Sequence, residues 1–373
     1  MSLAIDIIGT NLKSATRIYN INFCIYLSKR DLKKTIYIFL VKDYFDILKK
    51  YKNPKIKYIV KSNIYSKILP RLIWMQFLLP IELKILKVKE LFSPMNFGPL
   101  LLKWMKIKLI LGLHSNLPWK YFKKMPGTYF KKIFTKFLME RSIAHADLLI
   151  VQSNTARNEI LNLLSLNSNK VKKIYPGINR SFFKSNNRNN LKNFDYKDYF
   201  LNISSTVKYH NILNVLKAYK KFKAKKINLR FVFVTQVLDK SYFSQIQSYI
   251  KQNLNKKDVI IFKNLDQKYL INLYKNAKFY IFTSYCEVFG MTPVEAMINK
   301  CPVLISKTSS LKEVNNDAAL YFNPDKIDSI YNSMSEISRN NKLAKKLIKK
   351  GIKNSRRYSW KKTVEKTCKY LAC

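Results

Sequence analysis

Short runs of β-branched and aromatic residues recur along this 373-residue chain, separated by stretches with helical spacing. In the first half they fall at residues 3–8, 35–41, 56–60, 90–93, 107–114 and 146–153. A fresh series follows at 199–205, 229–235, 259–265, 277–283, 302–306 and 319–322. Strands that alternate with helices predict doubly wound parallel sheets. A chain of this length exceeds what one core usually organises, so two α/β lobes are expected. Its hydrophobic content of 47% is ample for two cores and excludes a disordered chain.

The most informative stretch, residues 284–297, reads S-Y-C-E-V-F-G-M-T-P-V-E-A-M. The run at 277–283 ahead of it has the pattern of a buried parallel strand. Behind it, Thr292 is placed to cap a helix, Pro293 suits a first helical turn, and Glu295 stands where a capping box wants a carboxylate. Strand, tight loop and helix start together make a turn at the carboxyl edge of a parallel sheet, where backbone N–H groups and the helix dipole favour anions. Glu287 sits in that loop, and Gly290 lets the backbone approach a ligand closely. Spacing alone leaves a plainer reading open, in which Glu295 is only a cap and Glu287 only a solvated loop charge.

Lys and Arg number 70 against 22 Asp and Glu, for a net charge of +48. The excess is spread evenly over both halves, which argues against a basic tail and fits an anionic membrane surface and anionic substrates. A lysine-rich coding bias accounts for part of the count but not for so few acids. No apolar run reaches the roughly eighteen residues of a membrane span. Residues 4–8 carry Asp6 and read as a strand, not a signal peptide. Five scattered cysteines, Cys24, Cys286, Cys301, Cys368 and Cys373, have neither disulfide nor metal spacing, as expected of a reducing cytoplasm. With 7 glycines and no G-x-G-x-x-G a dehydrogenase is disfavoured, and there is no P-loop and no D-x-D. Three separated histidines offer no metal cluster. Residues 58–82 mix lysines with Ile68, Leu72, Trp74 and Phe77, a helix-like stripe suited either to a membrane interface or to packing on its own domain.

The E-V-F-G-M-T-P-V-E motif closely resembles the E-x7-E signature of retaining family-4 glycosyltransferases, with Glu287 and Glu295 at its two glutamates. The similarity continues through residues 301–324. Residues 141–183 resemble the end of that family's first domain, with Ser153 or Asn154 capping a helix. The resemblance implies two Rossmann-like domains facing a cleft (the GT-B fold). It places an acceptor-side domain at 1–184, a polar linker at 185–198 and a nucleotide-sugar domain at 199–355. A terminal helix at 356–373 crosses back onto the first domain.

The same resemblance assigns site residues. Glu287 contacts donor-sugar hydroxyls, and Glu295 holds the ribose. Phe289, Gly290, Met291 and Thr292 line the donor, and Asn264 and Leu265 lie by the nucleobase. Residues 206–213 hold the place of a lysine or arginine that grips the diphosphate. Here His210 stands where lysine is commonest, with Lys208 two residues before it, so either Lys208 takes over or phosphate binding is weaker. Asn96 falls in an acceptor-side loop, and His114 follows a strand where relatives place a histidine toward the reaction centre. A structural role for His114 stays open, and His145 reads as structural. The loop after the first strand departs from the family: Ser14 and Ala15 replace a glycine pair, with Gly9 and Thr10 as substitutes.

Taken together, the expected function is sugar transfer from a UDP- or GDP-linked donor to a glycan or lipid-linked acceptor, in cell-surface polysaccharide or lipopolysaccharide synthesis. No cofactor and no bound metal are expected. The expected location is cytoplasmic, peripheral on the inner face of the cytoplasmic membrane. Two readings compete: a non-catalytic glycosyltransferase-like membrane scaffold, and a nucleic-acid binder, which would not need the two glutamates.

Overall fold

The computed structural model describes residues 2–9, 15–178, 190–191, 194–225 and 228–373, the side chain of Ala15 excepted. Thr10, Ser14 and residues 185–189 of the expected linker lie outside the described residues. The chain divides into two compact units. The first comprises Met1–Asn116, Ile133–Gly177 and Tyr358–Cys373, and the second comprises Leu117–Lys132 and Ile178–Arg357. Expectation and structure differ at two places. The second unit begins at Ile178, before the linker, and it takes in Leu117–Lys132 from the first half of the sequence.

The first unit is built on strands β1 (Ser2–Asp6), β2 (Ile36–Val41), β3 (Ile56–Lys61), β4 (Val88–Ser93), β5 (Lys108–Leu113), β6 (Leu148–Val151) and β7 (Val171–Lys173). They form one parallel sheet in the order β3-β2-β1-β4-β5-β6-β7. The order reverses between β1 and β4, and such a switch point opens a crevice at the carboxyl ends of the strands. Each predicted run of this half contains a strand. β7 lies where none was predicted, because two of its three residues are lysines and carry no apolar signal.

Residues 58–61, expected to begin a helix-like stripe, belong instead to β3. The helix proper runs through Ile68–Ile73, a wide π turn at Trp74–Leu78, and Leu79–Ile85. Trp74, the centre of the predicted stripe, is buried. Its indole Nε1 donates to Glu82 at 2.9 Å, and its ring lies 5.7 Å from that of Phe39. The helix also delivers Arg71 to Asp6 at the end of β1, a fully buried ion pair. Burial pushes the Asp6 carboxyl up from its ordinary value while the Arg71 charge pulls it down. The C-terminal helix Trp360–Leu371 closes this unit: Trp360 packs 5.3 Å from Tyr19, and Thr363 donates to the Tyr175 carbonyl at 2.8 Å.

The second unit holds β8 (Tyr199–Ile203), β9 (Arg230–Thr235), β10 (Val259–Lys263), β11 (Tyr280–Phe282), β12 (Val303–Ser306) and β13 (Leu320–Phe322). They too are parallel, in the order β10-β9-β8-β11-β12-β13, with the reversal between β8 and β11. Phe200, Phe231 and Phe279 stack in its core at centroid separations of 4.7 and 5.0 Å, against Tyr219 and Ile246. Residues 194–198, expected as linker, are tied to this unit. Phe194 packs 5.6 Å from Tyr199, and Arg230 donates to the carbonyls of Asp195 and Lys197.

A charge buried without its partner is costly. Asp6→Ala is therefore expected to lower unfolding stability by about 3–5 kcal/mol by stranding Arg71. Urea unfolding measures this, and a loss under about 1 kcal/mol would show that Arg71 relaxes to solvent.

Candidate active site

In the second unit the loops that leave β8 and β11 lie side by side. The Tyr285 N–H donates to the Tyr209 carbonyl at 2.8 Å, and the Thr283 hydroxyl to the His210 carbonyl at 2.6 Å. The β8 loop ends in a 3-10 turn, Lys208–His210, closed by Asn211 in the left-handed region at φ 55°. Lys208 is exposed and His210 buried. His210 Nδ1 lies 2.7 Å from the Ser205 carbonyl, which can only accept, so the ring donates from that nitrogen. Its Nε2 faces Glu287 Oε1 at 3.5 Å. In that tautomer Nε2 carries a proton only when the ring is cationic.

Glu287 is held by its backbone while its carboxylate stays partly exposed. Ser309 and Ser310 both donate to its carbonyl at 2.7 Å, and Ser306 and Thr308 anchor the Ser284 carbonyl at 2.6 and 2.7 Å. The loop turns at Gly290, φ 80°, where a Cβ would come within 2.6 Å of Leu311. The helix that follows runs Met291–Ile298 with Gly290 at its N-cap, so no side chain caps it. The predicted cap, Thr292, lies inside the first turn instead, its hydroxyl 2.8 Å from that of Tyr280. The helix starts earlier than expected because Gly290 readily takes the left-handed turn that begins it. Pro293 remains in the first turn.

The earlier start also displaces Glu295 from any capping box. Its carboxylate is buried and accepts from the Tyr274 hydroxyl at 3.1 Å. Burial pushes its pKa from 4.5 to about 7, with the Tyr274 hydrogen bond acting against the shift. Phe289 is buried, and Met291 and Thr292 are half-buried. Asn264 and Leu265 lie at the same carboxyl edge, after β10, with Asn264 at φ 54° donating its N–H to the Thr235 carbonyl at 2.8 Å.

The first unit has its own convergence at the β1/β4 switch. Asn96, at φ 69°, takes an N–H bond to the Gly112 carbonyl at 3.0 Å, and its side chain accepts from the His114 N–H at 2.5 Å. Two sequence-predicted residues, Asn96 and His114, are thereby stitched together. His114 is half-buried with its Nε2 covered, its ring set edge-on 4.8 Å from Tyr19, with the Gln152 amide against Nδ1. Burial drops its pKa from 6.5 to about 4, partly offset by the Pro94 backbone, so the ring is neutral at physiological pH. Gly9 approaches the β4 loop, its α-carbon placed so that a Cβ would lie 3.1 Å from Met95 Cε. His145 bonds the Arg141 carbonyl one turn back at 2.8 Å.

Comparisons with known proteins give the family. Residues 22–182 match the family described as Glycosyltransferase Family 4, and residues 183–354 match Glycosyl transferases group 1. The chain is a group 1, family-4 glycosyltransferase. It is 26% identical over 229 residues to the O-antigen chain mannosyltransferase RfbU of Salmonella typhimurium, a match covering 61% of this chain and 60% of RfbU. It is 24% identical over 242 residues to the serotype-specific mannosyltransferase WbdA of Escherichia coli, covering 62% of this chain and 29% of WbdA. The matches therefore span less than two thirds of these relatives' own lengths. In fold, the chain is similar to Anabaena HepE in complex with UDP-glucose, at TM-score 0.76 and 13% identity, covering 100% of this chain and 99% of HepE. Sucrose-phosphate synthase from Thermosynechococcus elongatus gives TM-score 0.76 at 14% identity, covering 100% and 98%. This glycosyltransferase thus has the α/β two-domain GT-B fold.

Several residues that shape the site carried no sequence signal. Tyr274, which partners Glu295, is one of many tyrosines on a helix. Ser309 and Ser310 read as an ordinary loop. Tyr285 is fixed by Asp325 at 2.7 Å and overlain by the Lys124 ammonium, 3.2 Å from its ring centroid. Only long-range folding brings these groups to the motif.

Glu295 gives this glycosyltransferase a distinctive response to pH. Its folded pKa is raised, so its contribution to stability is full below about 4.5 and is lost as pH rises toward about 7. His114 has the opposite sign, losing stability as pH falls from 6.5 toward 4. The difference between Glu295→Gln and wild type isolates the glutamate. It is expected to shift in the variant's favour by roughly 3 kcal/mol between pH 4.5 and 7. Unfolding titrations across that range test this, and a flat difference would refute the raised pKa.

Proposed function

We propose that this chain is a retaining glycosyltransferase that moves a sugar from a UDP- or GDP-linked donor to a glycan or lipid-linked acceptor. Its setting is cell-surface polysaccharide synthesis, lipopolysaccharide included, on the cytoplasmic side of an anionic membrane. The names of the mannosyltransferase relatives favour mannose as the sugar. The observation that carries the reading is the meeting of Glu287 with His210 at the β8/β11 switch, beside a helix start that no side chain caps.

The diphosphate is seated against the Lys208–His210 turn and the Met291–Ile298 helix start, where N–H groups and basic side chains stabilise the leaving charge. His210 presents Nε2 to a phosphate oxygen. Glu287 contacts donor-sugar hydroxyls as the anomeric carbon gains positive character, and the buried Glu295 accepts from the ribose hydroxyls. Asn264 and Leu265 flank the base. Asn96 and the neutral His114 face the acceptor. In the net reaction the bond from the anomeric carbon to the phosphate oxygen breaks and a bond to the acceptor oxygen forms. The acceptor's proton passes to the released diphosphate.

The two glutamates should separate kinetically. Glu287→Gln is expected to lower kcat more than donor affinity, because the lost charge acts on the transition state. Glu295→Gln should instead weaken donor binding by about 1–3 kcal/mol. Steady-state kinetics with calorimetry of GDP-mannose and UDP-glucose distinguishes the two. A folded chain that binds and turns over neither donor would favour the scaffold reading. Transfer should also persist in excess chelator, since His210, Lys208 and the helix start supply the positive charge. Activity abolished by chelator and restored by magnesium or manganese would overturn that.

A further inference from the structure

The helical stretch at residues 68–85 buries one side and leaves the other bare. Trp74, Met75, Leu79 and Leu83 face the core, whereas Leu69, Ile73, Phe77, Ile81 and Ile85 form an exposed row at four-residue spacing. Phe77 is 61% exposed and Ile85 72%. A second helix, Tyr129–His145, exposes Ile133, Phe134 and Phe137. The two helices are neighbours, since Gln76 of the first and Ser142 of the second both donate to the Gly98 carbonyl, at 3.3 and 3.2 Å. Trp104, 79% exposed, follows a few residues after Gly98.

Isolated exposed apolar side chains are ordinary, but this many on neighbouring elements mark an interaction site. The charges beside it select the partner. Lys67, Lys84, Lys87, Lys103 and Lys106 are all exposed around these elements. The acids on the two helices, Glu82 and Glu140, are taken up by Lys61 at 2.6 Å and Lys136 at 3.9 Å. No helix among the described residues is long and apolar enough to cross a membrane. A second copy of the chain would bring like charges together on a protein of net charge +48. Apolar and aromatic side chains ringed by lysines match an acyl-chain boundary beneath anionic headgroups.

We propose that this face of the first unit docks onto an anionic lipid bilayer, with Phe77 and Trp104 entering the headgroup boundary and the lysines contacting lipid phosphates. The proposal deepens the membrane setting proposed above. Vesicle binding needs no sugar transfer, so its failure and that of the transferase reading can be told apart.

Flotation of the full chain with phosphatidylcholine vesicles, with and without phosphatidylglycerol, tests it. Wild type is expected to float with the anionic vesicles only, and less as salt rises. Phe77→Ser and Trp104→Ser should each weaken that binding about tenfold, as expected for one large apolar side chain. Both residues are exposed, so thermal melting should be unchanged, and donor binding should survive in the double variant. Equal flotation of the double variant would overturn the proposal, as would equal binding to both vesicle types or binding to neither. A wild-type dimer that the double variant splits would assign the face to a second copy instead.

Discussion

Parallel pairing of β8 with β11 holds His210 and Glu287 at one level. The contact is brief, a single register pair between Leu201 and Tyr280, and side chains reinforce it. The Asn202 amide donates to the Ile281 carbonyl at 2.7 Å, and the Tyr280 hydroxyl reaches the Ile203 carbonyl at 3.1 Å. Because both strands end at the same height, the loops beyond them continue as neighbours and close with two further hydrogen bonds. His210 and Glu287, far apart in sequence, meet for that reason. Separate the strands and the signature motif keeps its glutamates but loses the imidazole across from them.

Within the motif, one residue type acquires two chemical characters. Glu287 is anchored through its carbonyl, so its carboxylate projects, partly solvated, toward an imidazole. Glu295 lies one helical turn inside the same element, buried against a phenol. Solvation separates them, and the backbone turn at Gly290 determines which glutamate faces out. A helix begun at Thr292 would have rotated Glu295 into the first turn and made it the cap that its spacing suggests.

The sheets were legible in the sequence because a parallel strand buried on both faces writes itself as an uninterrupted apolar run. β7 was not, since a short edge strand with two lysines has no such signature. Glu287, His210 and Gly290 were legible through the motif and its resemblance. Ser309 on the Glu287 carbonyl, Tyr274 on Glu295 and Asp325 on Tyr285 were not, because a hydrogen bond between distant segments leaves no local spacing to read. The stripe around Trp74 was open between a membrane interface and packing on its own domain, and Trp74 itself packs inward. A helical stripe shows that one face is apolar, but only the fold determines which of its residues turn inward. The place of Leu117–Lys132 in the second unit was equally invisible, since chain order says nothing about which core a segment joins.

Trp360 and Tyr358 belong to the core of the first unit, yet they are made only after the whole of the second. Gly177 fits them closely: a Cβ there would lie 2.2 Å from the Trp360 nitrogen. As the chain leaves the ribosome, the first unit waits with that groove open through the whole synthesis of the second. The N-terminal half of the sequence is thus the half whose fold is finished last. Loss of Tyr358–Cys373 would injure the unit that begins the sequence.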